Sequence, residues 1–343
     1  MVTDQRGLHL DAERCAIART PRNTPEWVRQ LLLPLLLALA YAAVLACQPL
    51  EVFKDRDNYL IYASASEHIL ANYARRGAAL YTNEPLWLAI NTVLANLISP
   101  EWTIRFIIFF PAFATSFVIL RIDPRHTFWL LLFLVMPQVI KNNIIHLRQG
   151  VAVGIFLLAF QCKSMRFRVP LLLSTPFIHA SFFLVLLIGL ICYVVRLFRI
   201  QTTPFLIALA AVYTIINLNI INVAAAIGAR QADQYMQRDL AVSGLGFVFW
   251  LSVLFLMCSS GKKFVVMNLF PVSVLLFYLC GYFLVEVSGR IFESVILVVL
   301  VAGLRLSGWR QTIFLSAVVF YTVISYILRI DQPFLGWGAS ATI

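Results

Sequence analysis

The sequence predicts an all-α, polytopic transmembrane helical bundle of about ten to eleven membrane segments, and three observations carry that expectation. Hydrophobic residues fill 61% of the 343 positions and charged residues only 13%, against about 25% charged in an ordinary soluble domain. The mean hydropathy is +0.85. The apolar residues gather into stretches of roughly 14–24, near the ~20 that carry a helix across ~30 Å of hydrocarbon, without the dyad alternation of an outer-membrane barrel. A soluble globular enzyme is therefore excluded. No long polar block or Pro/Gly/Ser-rich linker divides the chain, which reads as a cytoplasmic tail, residues 1–29, and a single membrane domain, residues 30–343.

The first apolar run, Leu31–Ala46, follows a tail carrying Arg6, Arg14, Arg19, Arg22 and Arg29. It reads as an uncleaved helix with its N-terminus inside: Leu45 before Ala46 and Cys47 suits a lipoprotein cleavage site poorly, and many further spans follow. A polar stretch from Glu51 to Glu84 comes next. Within it, Tyr59 to Tyr73 predicts a helix lying in the membrane interface. Tyr59, Tyr62, Ser66, Ile69, Leu70 and Tyr73 share one side, while Glu67, His68, Asn72, Arg75 and Arg76 fall mostly elsewhere. Apolar blocks then recur at Pro85–Ser99, Arg105–Leu120, Phe128–Ile140, Val151–Phe160, Pro170–Val195, Phe205–Val223, Gly246–Cys258, Phe264–Val285, Ile291–Leu304 and Thr312–Leu328. Pro85–Ser99 and Phe128–Ile140 are short for full spans, and one of them suits a re-entrant segment. Pro170–Val195 is expected to break near Pro176-Phe177-Ile178-His179, because proline removes a helical hydrogen bond there. That break takes His179 to the outer face.

The net charge of +11 comes from 27 Lys+Arg against 16 Asp+Glu, with 22 Arg to 5 Lys. No soluble basic domain or fingerprint supports nucleic acid as a partner. The excess instead follows the positive-inside pattern: Lys163/Arg166/Arg168, Arg196/Arg199, Lys262/Lys263 and Arg305/Arg310 are acid-free clusters that read as cytoplasmic. The remaining connections hold ten of the sixteen acids, among them Glu51, Asp55, Asp57, Glu84, Glu286 and Glu293. Carboxylates and arginines therefore meet on the outer face. The six cysteines form no CxxC and no disulfide framework.

Several residues there suit chemistry. Asp57, in Lys54-Asp55-Arg56-Asp57-Asn58-Tyr59, is placed to act as a general base toward a sugar hydroxyl, or with Asp55 as a divalent-metal pair; a solvated loop of mixed sign fits as well. The Tyr59 face is either an aromatic belt or a sugar-stacking platform. Glu84, just before Pro85, is either a helix cap or a catalytic or sugar-binding acid. Asn143 and Arg148, in Lys141-Asn142-Asn143-Ile144-Ile145-His146-Leu147-Arg148-Gln149, put an amide and a guanidinium at a helix entrance, where backbone N–H groups favour an anion. His179 is an ionisable residue within an apolar block, a functional position unless it only bonds between helices. Arg230, Gln234 and Arg238 share a helical face spaced for an anionic ligand. Glu286, Arg290 and Glu293 share another, either as a structural ion pair or with Arg290 aimed at phosphate and the acids holding its rotamer.

Taken in order, Asp57-x-Tyr59, Glu84-Pro85-Leu86-Trp87, Asn143 with Leu147-Arg148-Gln149-Gly150-Val151-Ala152, and Ile178-His179-Ala180-Ser181 resemble the Wzy/EpsG-type polysaccharide polymerases of bacterial inner membranes. The resemblance spans about Phe53 to Ser181, and the Arg290 region is a looser match. It implies a GT-C-like, multi-pass glycosyltransferase that joins undecaprenyl-diphosphate-linked oligosaccharide repeat units at the periplasmic face and releases undecaprenyl diphosphate. A flippase and a chain-length regulator of the same pathway are the implied partners, and no cofactor is expected. A departing diphosphate needs fixed cations in a low-dielectric site. Arg148 and Arg290, helped by Arg230 or Arg238, are expected to hold it, with Asn143 and Tyr59 as further substrate contacts. Asp57 or Glu84 is then the base, and His179 orients or relays protons. Two rival readings use similar cations: a flippase for lipid-linked saccharide, and a ligase or acyltransferase centred on His179. Transporters usually place their sites at the membrane midplane between repeats, whereas the ionisable residues here collect at one face.

Overall fold

A computed structural model describes residues 27–75, 79–198, 202–226 and 244–338. The tail as far as residue 26, together with Arg230, Gln234 and Arg238, lies outside the described residues. Among those described, the chain is all-helical, with one isolated antiparallel bridge between Phe53 and Gly338.

The order begins with a π-helical turn, Val28–Leu32, running into α1 (Leu33–Ala46), followed by α2 (Arg56–Ala74), α3 (Pro85–Ala95) and α4 (Pro100–Ile122). Next come α5 (Thr127–Leu134), α6 (Pro137–Ile144), α7 (Leu147–Gln161), α8 (Met165–Ser174), α9 (Ser181–Leu197) and α10 (Thr202–Ala226). The remainder is α11 (Gly244–Ser259), α12 (Lys262–Met267), α13 (Leu269–Gly281), α14 (Glu286–Glu293), α15 (Ile296–Leu304) and α16 (Trp309–Ile327).

Among the described residues four helices are long and apolar enough to cross a membrane, namely Val28–Ala46, Pro100–Ile122, Pro204–Ala226 and Trp309–Ile327, and two bent pairs raise the number to six if each is one span. Of the about ten to eleven membrane segments expected, these are the ones that qualify by length and composition among the described residues, and several other apolar blocks fold as broken or short helices. The pairs bend by 70° between Leu134 and Pro137 and by 58° between Glu293 and Ile296. Pro85–Ala95, Leu147–Gln161, Ser181–Leu197, Gly244–Ser259 and Leu269–Gly281 are shorter apolar helices.

Each break is explained locally. Pro137 cannot continue α5, and the carbonyls freed at the bend take new donors: the Tyr41 hydroxyl donates to Leu134 O at 2.9 Å and the Tyr326 hydroxyl to Val135 O at 2.6 Å. The expected break in Pro170–Val195 is present, as a 3-10 turn over Thr175–Phe177 between α8 and α9. His179 follows it, its backbone N–H donating to Thr175 O at 3.0 Å.

The core sits where α1, α4 and α7 pack. Ala38 and Ala42 of α1 are fully buried, since small side chains let helix backbones approach closely. Pro111 of α4 meets Gly154 of α7, where an added Cβ would stand 3.1 Å from Pro111 Cα. Gly150 is tighter still, with Asn142 O only 2.3 Å from the position of an added Cβ. The α6 backbone therefore lies directly on the first turns of α7, which carry Arg148.

Helix α2 has the two faces expected of it. Tyr59, Ala63 and Ser66 are buried, whereas Glu67, His68, Asn72 and Arg75 are exposed. Its inner face packs on α3, with the Ser66 and Thr92 hydroxyls 3.0 Å apart and the Tyr59 and Tyr62 rings edge-on to Trp87.

Candidate functional site

The site is built around Glu84. Its backbone is left-handed, at φ 59° and ψ 54°, a conformation that costs a non-glycine residue free energy and persists only where its surroundings hold it. Pro85 starts α3 immediately afterwards, which sends the chain away and turns the carboxylate inward, to 4% exposure. There Arg148 Nη1 donates to Glu84 Oε2, and His179 Nδ1 lies 2.9 Å from Oε1. A buried carboxylate persists as an ion only when it is paired in this way. Glu84 thus joins the helix entrance at Arg148 to the turn at His179, across 64 and 95 residues of sequence.

Arg148 is fixed from several sides. Its guanidinium lies 5.8 Å from the centroid of the Tyr62 ring. One turn away on α2, the Tyr59 hydroxyl accepts the Leu147 N–H at 3.1 Å, satisfying a backbone donor that the helix itself leaves open. Gln149 reaches the opposite way, donating to Arg290 O at 2.9 Å and to Ser294 Oγ at 3.0 Å. The Ser294 hydroxyl is in turn 3.0 Å from Ser181 Oγ, two residues beyond His179. These bonds draw α3, α7, α9 and α14 to one point.

A cavity of about 580 Å³ opens beside that point. His179, Ser181 and Arg290 line its polar end, and Leu184, Leu187, Ile216 and Ile220 of α9 and α10 line its apolar walls. Arg290, paired with Glu286, is the charged side chain at its mouth, and the groove beyond is hydrocarbon.

The structure brings together five of the residues singled out by sequence: Tyr59, Glu84, Arg148, His179 and Arg290. Two others stand apart. Asp57 is exposed, two positions from buried Tyr59 and so on the opposite side of α2, outside the Glu84 cluster. Asn143 is 2% exposed and donates to Val139 O at 3.2 Å within its own helix, a structural place and not a ligand contact. Tyr59 is 6% exposed and edge-on to Trp87, so it holds the α7 entrance and offers no open ring face for a sugar. Arg290 has Glu286 at 3.4 Å, while Glu293 takes the Lys141 ammonium at 3.2 Å.

One residue was missed. His146, at the junction of α6 and α7, has a buried Nε2 with no hydrogen-bond partner. Burial, followed by the charges of neighbours that include Lys141, Arg290 and Arg148, holds its imidazole down to about 2, so it stays neutral beside those cations. Its place within Lys141–Gln149 was the available signal. Nearby, Arg56 is 3% exposed and donates to Ile144 O at 2.7 Å, completing the end of α6, and burial lowers its pKa to about 10. Among the described residues no three His, Cys, Asp or Glu side chains converge to hold a metal ion.

No protein-family model matches the chain, and neither a curated protein nor a solved structure matches it.

Proposed function

We propose that the chain is a membrane glycosyltransferase of the Wzy/EpsG polymerase type, GT-C-like, working on undecaprenyl-diphosphate-linked oligosaccharides at the periplasmic face of a bacterial inner membrane. One observation carries this reading: the Arg148–Glu84–His179 cluster ends in a cavity that pairs Arg290 with an apolar groove between α9 and α10. A ligand fitted to both parts has an anionic head and a hydrocarbon tail, as a lipid-linked diphosphate does.

In the proposed reaction, the acceptor sugar's hydroxyl oxygen attacks the anomeric carbon of the donor chain. The C–O bond to the diphosphate breaks, and its electron pair leaves with the phosphate oxygen. Arg290 and Arg148 stabilise the charge that grows there, which matters most where water is excluded. Glu84 holds His179 through Nδ1, leaving Nε2 to take the hydroxyl proton. Glu84 then acts as a positioning residue, because both of its oxygens are already engaged.

The test uses purified protein reconstituted with undecaprenyl-diphosphate-linked repeat units. Wild-type protein is expected to yield a ladder of longer glycans, and Arg148→Ala to lose roughly 10²–10³ in rate at unchanged protein level. Lipid-linked units that cross the bilayer without lengthening would instead identify a flippase. Single units passed to another acceptor would identify a ligase, and Arg148→Ala at full rate would remove the assigned role of that arginine.

A further inference from the structure

The turns beyond the far end of α9 gather cations, and the segments that form them hold no acid. Helix α9 runs roughly 25 Å from the cavity mouth at Ser181. At its other end Arg196 donates to Val266 O at 3.0 Å and Met267 O at 2.9 Å, tying it to α12. Arg310 Nε donates to Ser259 Oγ at 3.1 Å, which holds the turn between α11 and α12 against the turn between α15 and α16. Gln311 closes the second turn by donating to Leu304 O at 2.8 Å. On these joined turns Lys262, Lys263 and Arg305 are all exposed. Arg310 lies 4.8 Å from the centroid of the Trp309 ring, and Trp309 is 56% exposed. Residues 181–198, 244–285 and 294–330 contain no Asp or Glu. Gly261 and Gly308, the hinges of the two turns, face open space.

From this arrangement we propose that the two joined turns form a binding site for the headgroup of an anionic phospholipid in the leaflet around them. Exposed cations on two bonded turns whose segments carry no carboxylate lack a counter-charge of their own, and a phosphate headgroup supplies one. Exposed Trp309 and Met267 supply apolar flanks for the glycerol and upper acyl chains, which places a lipid there in preference to a free ion. The site is independent of the reaction proposed at the opposite end.

Native mass spectrometry of the detergent-purified protein, titrated with cardiolipin and with phosphatidylcholine, tests this directly. Cardiolipin adducts are expected to form at much lower concentration. The triple variant Lys262→Gln/Lys263→Gln/Arg305→Gln is expected to weaken them by roughly a hundredfold, the product of about fivefold for each cation. All three side chains are exposed, so an unchanged melting temperature verifies that the variant is folded. The variant Lys163→Gln/Arg166→Gln, in another basic loop, is expected to retain the preference. Equal binding of the two lipids, an unaffected triple variant, or an equal loss in the Lys163/Arg166 variant would overturn the assignment. So would displacement of the lipid by millimolar inorganic phosphate, which would identify a plain anion site.

Discussion

Glu84 and His146 are opposite solutions to burying an ionisable group. Glu84 is buried with partners, since Arg148 and His179 both reach it, and its strained backbone is held by those same contacts. His146 gives its charge up. Below about 6.5 the unfolded chain takes a proton on this histidine, while the folded protein refuses one down to about 2. The unfolded state then binds more protons, so stability rises with pH through that window and falls on acidification, by up to about 1.4 kcal/mol per pH unit from this group alone. His146→Gln is therefore expected to flatten the drop in melting temperature between pH 6.5 and pH 5. A variant that drops as steeply as wild type would contradict this account of His146. From sequence, Glu84, Arg148, His179 and Arg290 were legible because charge is conspicuous in apolar surroundings. The exposed place of Asp57 was not legible for a related reason: spacing along a helix reports which face a residue shares, and not which face meets a neighbour.

At the scale of elements, the short helices matter more than the long spans. Bends at Pro137 and at Ser294-Val295 bring helix ends, with their open backbone groups, next to α7. Straight membrane helices keep such groups away from a central site. The sequence announced the break before His179 through Pro176, but the bend near Ser294 carries no proline, and its cause lies in tertiary packing around Ser294 and Gln149. The contact of α6 with α7 was equally hidden, since a glycine in a helical pattern does not say what lies over it. Gly150→Ala drives a methyl group into the Asn142 carbonyl. It is expected to cost about 1–3 kcal/mol and to lower activity along with stability, as the Arg148 turn shifts. Thermal unfolding in detergent measures the first effect. A fully stable alanine variant would show that α6 and α7 separate easily.

Across the whole molecule, the two ends of α9 carry different chemistry: Glu84, His179 and Arg290 at one, Arg196, Lys262, Lys263 and Arg310 at the other. The positive-inside reading of the sequence anticipated this division, whereas the number of full spans was not legible, because length and hydropathy alone do not reveal a bend. Cysteines introduced singly at Tyr81 and at Lys263, in a cysteine-free background, are expected to react with an impermeant maleimide from opposite sides of sealed vesicles. Labelling from one side would refute the division. The pairing of Phe53 with Gly338, reinforced by Lys54 N–H donating to Trp337 O at 3.0 Å and Lys54 Nζ to Gly336 O at 3.1 Å, joins the start of α2 to residues synthesised almost 300 positions later. During translation Phe53 and Lys54, at the entry to α2, lack these partners until Gly338 has been made, so a nascent chain stalled earlier can insert its spans and still leave that fastening open.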